Sequence, residues 1–138
     1  MPISAHPRYR GEAHPAVNWS VVGNLKQFGG EQFVAETVAE YLANAETLIG
    51  AIQEAALQCD VASFRDQVHA LRGTSGNVGA EALWRLCRSV SGMTLERLRE
   101  EGSEFSSRLV HELIRFRQEH AGATPARQLG SPSLGTPS

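Results

Sequence analysis

The sequence lacks the features that mark several large classes of protein. It has only two cysteines, Cys59 and Cys87, in no Cys-x-x-Cys pair, and neither a signal peptide nor a long apolar run. These absences fit a protein of a reducing cytoplasm that makes no direct membrane contact, with both cysteines as small core residues. The net charge of -2 gives no basic field for a nucleic-acid backbone, so nucleic acid is a poor partner candidate.

Motifs of self-sufficient phosphoryl or metal chemistry are also missing. The chain has no P-loop, no Gly-rich nucleotide motif and no convincing acidic cluster for magnesium. The four histidines other than His69 form no ligand pair at a spacing of three or four residues, so a metal site is not expected. We therefore expect no cofactor of its own, and any phosphoryl donor or metal must come from a partner.

The 138 residues are enough for one domain. Residues 1–17 carry three prolines and no apolar period, which predicts an N-terminal linker, although a merely frayed terminus fits equally well. Residues 121–138 are rich in Pro, Gly, Ser and Thr, which predicts a disordered C-terminal tail. The domain itself is expected over residues 18–120.

Between these ends the apolar residues recur at steps of three and four, and no segment alternates with period two. Asn18 is a candidate N-cap for a short helix of about ten residues that Gly29 and Gly30 end. A long helix follows from Glu31 to about Gln58.

Asp60 is the next candidate N-cap, for a helix that runs to about Gly76, and Gly79 is expected to supply a positive φ where that helix stops. A further helix is expected to run as far as Leu98, with a break near Gly92, and the last helix is expected after Gly102 and Ser103. The pattern predicts an all-α fold, an antiparallel up-down four-helix bundle with a short additional N-terminal helix.

The helix after Asp60 carries a histidine away from its apolar side. With Phe64 set at zero and about 100° per residue, Arg72 lies at roughly 80° and His69 at roughly 140°. The residues around the imidazole on the same outer face are basic or nearly bare: Ala62, Arg65, Gly73 and Gly76. A bulky partner can therefore approach His69 closely.

A neutral imidazole is a nucleophile near pH 7, because its unperturbed pKa is about 6.5. His69 is thus able to accept a phosphoryl group, and Arg72 or Arg65 is placed within a turn of it to donate hydrogen bonds to the phosphoryl oxygens. Gly73 and Gly76 each cost about 1 kcal/mol relative to alanine inside a helix, which indicates that another backbone approaches there. Two alternatives remain: an ordinary surface histidine, and glycines tolerated near a helix end.

The stretch from His69 to Leu83 resembles the signature of histidine-containing phosphotransfer (HPt) domains of bacterial and fungal phosphorelays. That signature is His, any residue, an aliphatic, Lys or Arg, Gly, two small residues, an aliphatic-Gly pair and a leucine on the next helix. The resemblance covers about residues 18–117. It implies that His69 is the phosphoacceptor, that Arg72 replaces the usual phosphate-stabilising lysine, and that Gly73 leaves room for the partner.

The resemblance also implies the partners. They are response-regulator receiver domains, bound transiently, which supply the acceptor aspartate and Mg²⁺. The chain would be a monomeric, cytoplasmic phosphohistidine carrier in two-component signalling, with no independent catalytic activity. It resembles the C-terminal module of a bacterial hybrid sensor kinase, at the cytoplasmic end of a membrane-anchored polypeptide; diffusible-signal-factor (quorum-sensing) sensors are one candidate, which no motif separates from its relatives.

Other interpretations remain open at this point. The rival is a helical interaction module with the same fold whose histidine is never phosphorylated, and a metal or haem carrier is weaker because no second histidine lies opposite. Trp84 is interpreted as a residue at the rim of the core, with an aromatic anchor in a docking surface as the alternative.

Overall fold

The computed structural model describes residues 14–129, and their side chains as far as residue 122. This part of the chain is helical, and its one β-type pairing is an isolated bridge between Val17 and Ala80. The four helices are α1 (Trp19–Leu57), α2 (Val61–Val78), α3 (Glu81–Ser89) and α4 (Leu95–Leu129). The all-α prediction is confirmed for these residues.

Helix α1 consists of two arms that meet at a kink. It begins where expected, because the Asn18 side chain accepts a hydrogen bond from the Ser20 backbone N–H at 3.1 Å. Gly30 has φ 85° and ψ 179°, a backbone conformation that no helix contains and that L side chains rarely adopt. The predicted short helix and long helix are therefore both present, joined at the predicted glycine.

Helix α2 is bounded by two local signals that the sequence carries. The Asp60 carboxylate accepts a hydrogen bond from the Ser63 backbone N–H at 3.1 Å, and Gly79 stands after the last residue with φ 78°. The helix ends at Val78, two residues later than predicted.

The predicted break near Gly92 is confirmed, but the predicted start of the last helix after Gly102 and Ser103 is wrong. The chain breaks between Val90 and Thr94, and α4 then runs without interruption through Gly102 and Ser103. Gly102 is buried, and a Cβ placed there would lie 3.2 Å from the Ala56 Cβ of α1. This glycine therefore permits close packing of two helices rather than a turn, and it misled the prediction because both roles favour glycine.

The ends of the domain also differ from the prediction. Ala16 and Val17, assigned to the linker, are buried, and the Ala16 carbonyl accepts a hydrogen bond from the Glu81 backbone N–H at 3.1 Å. Helix α4 continues nine residues past the expected domain end at residue 120, to Leu129. The remainder of the two predicted tails, residues 1–13 and 130–138, lies outside the described residues.

The core holds the helices around His69 in fixed positions. Helix α1 packs against α2 and α4, and α3 packs against α2 and α4. Aromatic rings lie at the centre of the core, where Phe64 is tilted against Phe105 and Tyr41 is edge-on to Phe116. Within residues 14–129, no helix combines the length and the apolar character needed to span a membrane.

Candidate functional site

His69 lies on the outer face of α2 with an exposed side chain. The residues on either side of it in the helical pattern point inward, since Val68 and Leu71 are buried in the core. The packed inner face fixes the helix, so the imidazole is presented from a rigid backbone. The sequence-based placement of His69 is confirmed.

The imidazole borders a groove of about 290 Å³ between α2 and the segment that follows α3. Helix α2 supplies one wall, with Arg65, Asp66, His69 and Arg72 as its polar members. The opposite wall contains Cys87 near the end of α3 and the turn residues Val90, Ser91 and Gly92. The groove is wide enough for a phosphoryl group on the imidazole, and both cationic and anionic side chains border it.

Arg72 shares this groove with His69 and is half-buried. It forms no hydrogen bond or ion pair with any residue of the described part of the chain. Its donors are therefore available to an incoming anion, which agrees with the position that the sequence predicts for it.

Arg65 also lines the groove, but part of its guanidinium is already engaged. Its Nε donates a hydrogen bond to the Met93 carbonyl at 2.8 Å, which ties α2 to the turn before α4. Arg65 thus holds the far wall of the groove in place, a role that sequence reasoning did not foresee. The prediction that it contacts a partner stays a prediction.

The two glycines of the outer face differ in their surroundings. Gly73 is exposed, and a Cβ there would meet nothing within 4 Å. At Gly76 a Cβ would lie 3.2 Å from Cδ1 of Trp84, so the indole ring packs directly against the backbone of α2. Gly76 therefore has an intramolecular reason to be glycine, whereas Gly73 has none within the described residues. Ala62, the other small residue of this face, is exposed and does not line the groove.

Two buried titratable groups, Tyr41 and Cys87, lie near each other in the core, and Cys87 also lines the groove. The Tyr41 and Ser75 hydroxyls are 2.7 Å apart and join α1 to α2. Burial raises the pKa of the Cys87 thiol to about 12, against the opposing effect of the nearby Arg72 guanidinium. Burial likewise raises the pKa of Tyr41, and the hydrogen bond with Ser75 opposes that shift. Both groups are neutral at physiological pH, so Cys87, the one of the two that lines the groove, places no negative charge beside a phosphoryl group.

The sequence reasoning missed the second wall of the groove. Ser91 and Gly92 come from a turn whose position depends on tertiary packing, and the one local signal for it was the glycine, which adopts φ 78°. Within residues 14–129, no group of three or more His, Cys, Asp and Glu side chains has an arrangement suited to a metal ion.

Comparison with known proteins bears on this arrangement. Residues 36–119 match a protein family, the Hpt domain, and this match spans most of α1, all of α2 and α3, and most of α4. No match was found among curated proteins or among solved structures. Because the family match covers more than half of the 138 residues and includes the exposed histidine, its groove and Arg72, the chain belongs to the Hpt domain family.

Proposed function

We propose that this chain carries a phosphoryl group on His69, which it accepts from the aspartate of one receiver domain and passes to the aspartate of another. Membership of the Hpt family implies phosphotransfer in two-component signalling and interaction with receiver domains or response regulators. The observation that supports His69 as the carrier is its exposed position on the rigid outer face of α2, with Arg72 in the same groove.

The proposed transfer conserves atoms and charge. A ring nitrogen of neutral His69 attacks the phosphorus of the aspartyl phosphate, the new N–P bond forms, and the bond from phosphorus to the aspartate oxygen breaks to release a carboxylate. The same steps in reverse, with a second receiver, return the phosphoryl group to an aspartate. Arg72 donates hydrogen bonds to the phosphoryl oxygens, whose charge develops near its unpaired guanidinium.

The receiver supplies what this chain does not hold. In the proposal it contributes Mg²⁺, the acidic residues and the reacting aspartate, so this chain has no catalytic activity of its own. The interface is modest in area and transient, because a carrier must release each partner before it meets the next. Arg65, Gly73, Gly76 and Ala62 surround His69 on the side that the receiver approaches.

The proposal extends to architecture and context. The connections between helices are short, at residues 58–60, 79–80 and 90–94, which favours an antiparallel up-down bundle. We propose that the module is monomeric. We place the module in the cytoplasm as the C-terminal part of a bacterial hybrid sensor kinase, with diffusible-signal-factor sensors as a candidate family. The test of that context is whether the native polypeptide that contains this module also contains a kinase core and a receiver domain.

The decisive experiment incubates the protein with phosphorylated receiver domains and Mg²⁺. We expect an acid-labile, base-stable phosphate on the wild type and none on His69→Gln. The matched control is His111→Gln, which alters another exposed histidine, on α4, and keeps the label. Label that persists on His69→Gln contradicts the proposal. Receiver binding without label on the wild type supports instead an unphosphorylated interaction module.

A further inference from the structure

The outer face of α2 continues beyond the histidine to an aromatic ring from α3. Gly76 lies seven residues after His69, which places it about 10 Å along the helix and within about 20° of the same direction. Gly73 lies between them, exposed and with open space above its backbone. Trp84 packs on Gly76, so its half-buried indole forms the far end of this strip.

Two arginines flank the indole ring. The Arg85 guanidinium carbon lies 5.8 Å and that of Arg88 lies 5.2 Å from the ring centroid, both within the range of a cation–π contact. Arg85 is neutralised by Glu81, whose carboxylate accepts a hydrogen bond from Arg85 Nε at 2.6 Å. Arg88 is exposed and has no carboxylate partner among the described residues. The aromatic end of the strip thus carries one uncompensated positive charge.

The indole N–H is also unused. Trp84 Nε1 donates to no acceptor in residues 14–122, and the ring is only half-buried, so the N–H is available to an acceptor on a partner. Tryptophan and arginine are the residue types that most often contribute large shares of binding energy at protein interfaces. The strip therefore begins at the His69 imidazole, crosses the open backbone at Gly73 and ends at Trp84 and Arg88. This arrangement is typical of a contact surface for a partner rather than of residues at the edge of the core.

We infer that Trp84 and Arg88 form a second contact point for the receiver domain and determine which receivers this chain accepts. This inference rests on the proposed function, since the receiver must lie over Gly73 to reach His69. The geometry supports that occupant: a partner that covers the open backbone at Gly73 to reach His69 extends towards Trp84, where the uncompensated charge of Arg88 attracts a carboxylate of the same partner. The indole then covers an apolar part of the same partner and offers its N–H as a donor.

The test compares variants of the intact chain with a panel of purified receiver domains. For a receiver that phosphorylates the wild type, we expect Trp84→Ala to weaken binding and raise the KM of transfer by at least about fivefold. We expect Arg88→Ala to raise that KM at low salt by an amount that shrinks as ionic strength increases. Phe28→Ala and Arg99→Ala, which remove an exposed aromatic of α1 and an exposed arginine of α4, are the matched controls and leave the KM unchanged.

Phosphoramidate provides a readout that needs no receiver. The imidazole nitrogen attacks its phosphorus, the P–N bond breaks and ammonia leaves, so labelling reports the nucleophile alone. We expect Trp84→Ala and Arg88→Ala to be labelled by phosphoramidate like the wild type. The inference is overturned if receiver binding and KM are unchanged in both variants. It is also overturned if a variant loses phosphoramidate labelling to the same extent as receiver transfer, because the fold is then damaged. Absence of receiver transfer in the wild type contradicts the proposed function itself.

Discussion

The Tyr41 and Ser75 hydroxyl oxygens lie 2.7 Å apart in the core, between the middle of α1 and the last turns of the histidine helix. Both side chains are buried, so the hydrogen bond is protected from competition with water. It joins α1 to α2 six residues after His69 and thereby fixes the rotation of α2 that presents the imidazole to solvent. This hydrogen bond explains why position 75 has a serine, since an alanine would be equally small but could not bond to Tyr41.

Removing one partner of this pair is expected to destabilise the fold. Tyr41→Phe leaves the Ser75 hydroxyl without its partner in an apolar environment, and we expect the free energy of unfolding to fall by about 1–2 kcal/mol. Urea denaturation measures the change. The double variant Tyr41→Phe, Ser75→Ala is the control, and it should lose less than the two single variants together because no hydroxyl is left unpaired. Strict additivity would show that the two hydroxyls do not interact.

Gly79→Ala is expected to be among the most damaging glycine substitutions in the domain. Gly79 has φ 78°, and an added Cβ would lie 2.7 Å from the Asn18 carbonyl oxygen, which belongs to backbone and cannot move aside cheaply. We expect a loss of at least about 2 kcal/mol, since the left-handed conformation alone costs about 1 kcal/mol or more.

Gly92→Ala is the matched control for that substitution. Gly92 has the same φ of 78°, but a Cβ there meets nothing within 4 Å. Thermal unfolding of the two variants therefore separates conformational strain, which both share, from the collision with Asn18, which only Gly79→Ala has. Equal losses would exclude the collision as a cause.

These contrasts explain which parts of the fold the sequence predicts. The starts of α1 and α2 and the end of α2 depend on Asn18, Asp60 and Gly79, whose capping roles are local and visible in the sequence. The start of α4 was missed because Gly102 is explained by a contact with Ala56, a residue 46 positions earlier.

The candidate site divides in the same way. The outward position of His69 and Arg72 follows from helical periodicity, which the sequence carries. Other contacts depend on how separate elements pack together. They are the hydrogen bond from Arg65 to Met93, the packing of Trp84 on Gly76, and the backbone hydrogen bond between Ala16 and Glu81. No local pattern encodes such contacts, so they could not be predicted.

Arg72 is expected to affect transfer more than stability. The guanidinium forms no ion pair or hydrogen bond within the described residues, so Arg72→Ala removes little that the fold depends on. A charge-assisted hydrogen bond contributes about 1.5–3 kcal/mol, so we expect transfer to slow by about ten- to a hundredfold. Single-turnover transfer from a phosphorylated receiver measures this rate. Arg72→Lys is the control and should retain most of it, whereas an unchanged rate in Arg72→Ala would contradict the role.

The buried thiol predicts a stability that depends on alkaline pH. Cys87 has its pKa raised to about 12 in the folded chain by burial, against about 8.5 for an exposed thiol. The unfolded state therefore releases the proton at lower pH, so this contribution to stability is complete below pH about 8.5 and is lost as pH rises towards 12. Tyr41, whose pKa burial also raises, acts in the same direction.

We expect the midpoint of urea unfolding to fall above pH about 9, and to fall less in Cys87→Ala than in the wild type. The same burial makes Cys87 slow to react. A disulfide exchange reagent at pH 8 should label Cys59, which is half-buried, and reach Cys87 only after denaturation. Two thiols labelled at equal rates in the native protein would show that the groove opens to the reagent.

Gly73→Ala is expected to change stability and function in opposite directions. Gly73 lies inside α2, and its missing Cβ would meet nothing within 4 Å, so alanine should stabilise the helix by about 0.5–1 kcal/mol. The same methyl group would stand on the surface that the receiver must approach to reach His69. We therefore expect a higher midpoint of urea unfolding together with a higher KM for transfer from the receiver.

Gly50→Ala is the control that makes this test specific. Gly50 is an exposed glycine inside α1 whose Cβ would also meet nothing within 4 Å, so it should give the same gain in stability. It lies on α1 rather than on the outer face of α2 beside His69, so the KM of Gly50→Ala for the receiver should equal that of the wild type. If both variants are stabilised and only Gly73→Ala transfers poorly, the glycine is retained for the approach of a partner. If Gly73→Ala transfers as well as Gly50→Ala, the receiver does not contact α2 at this residue.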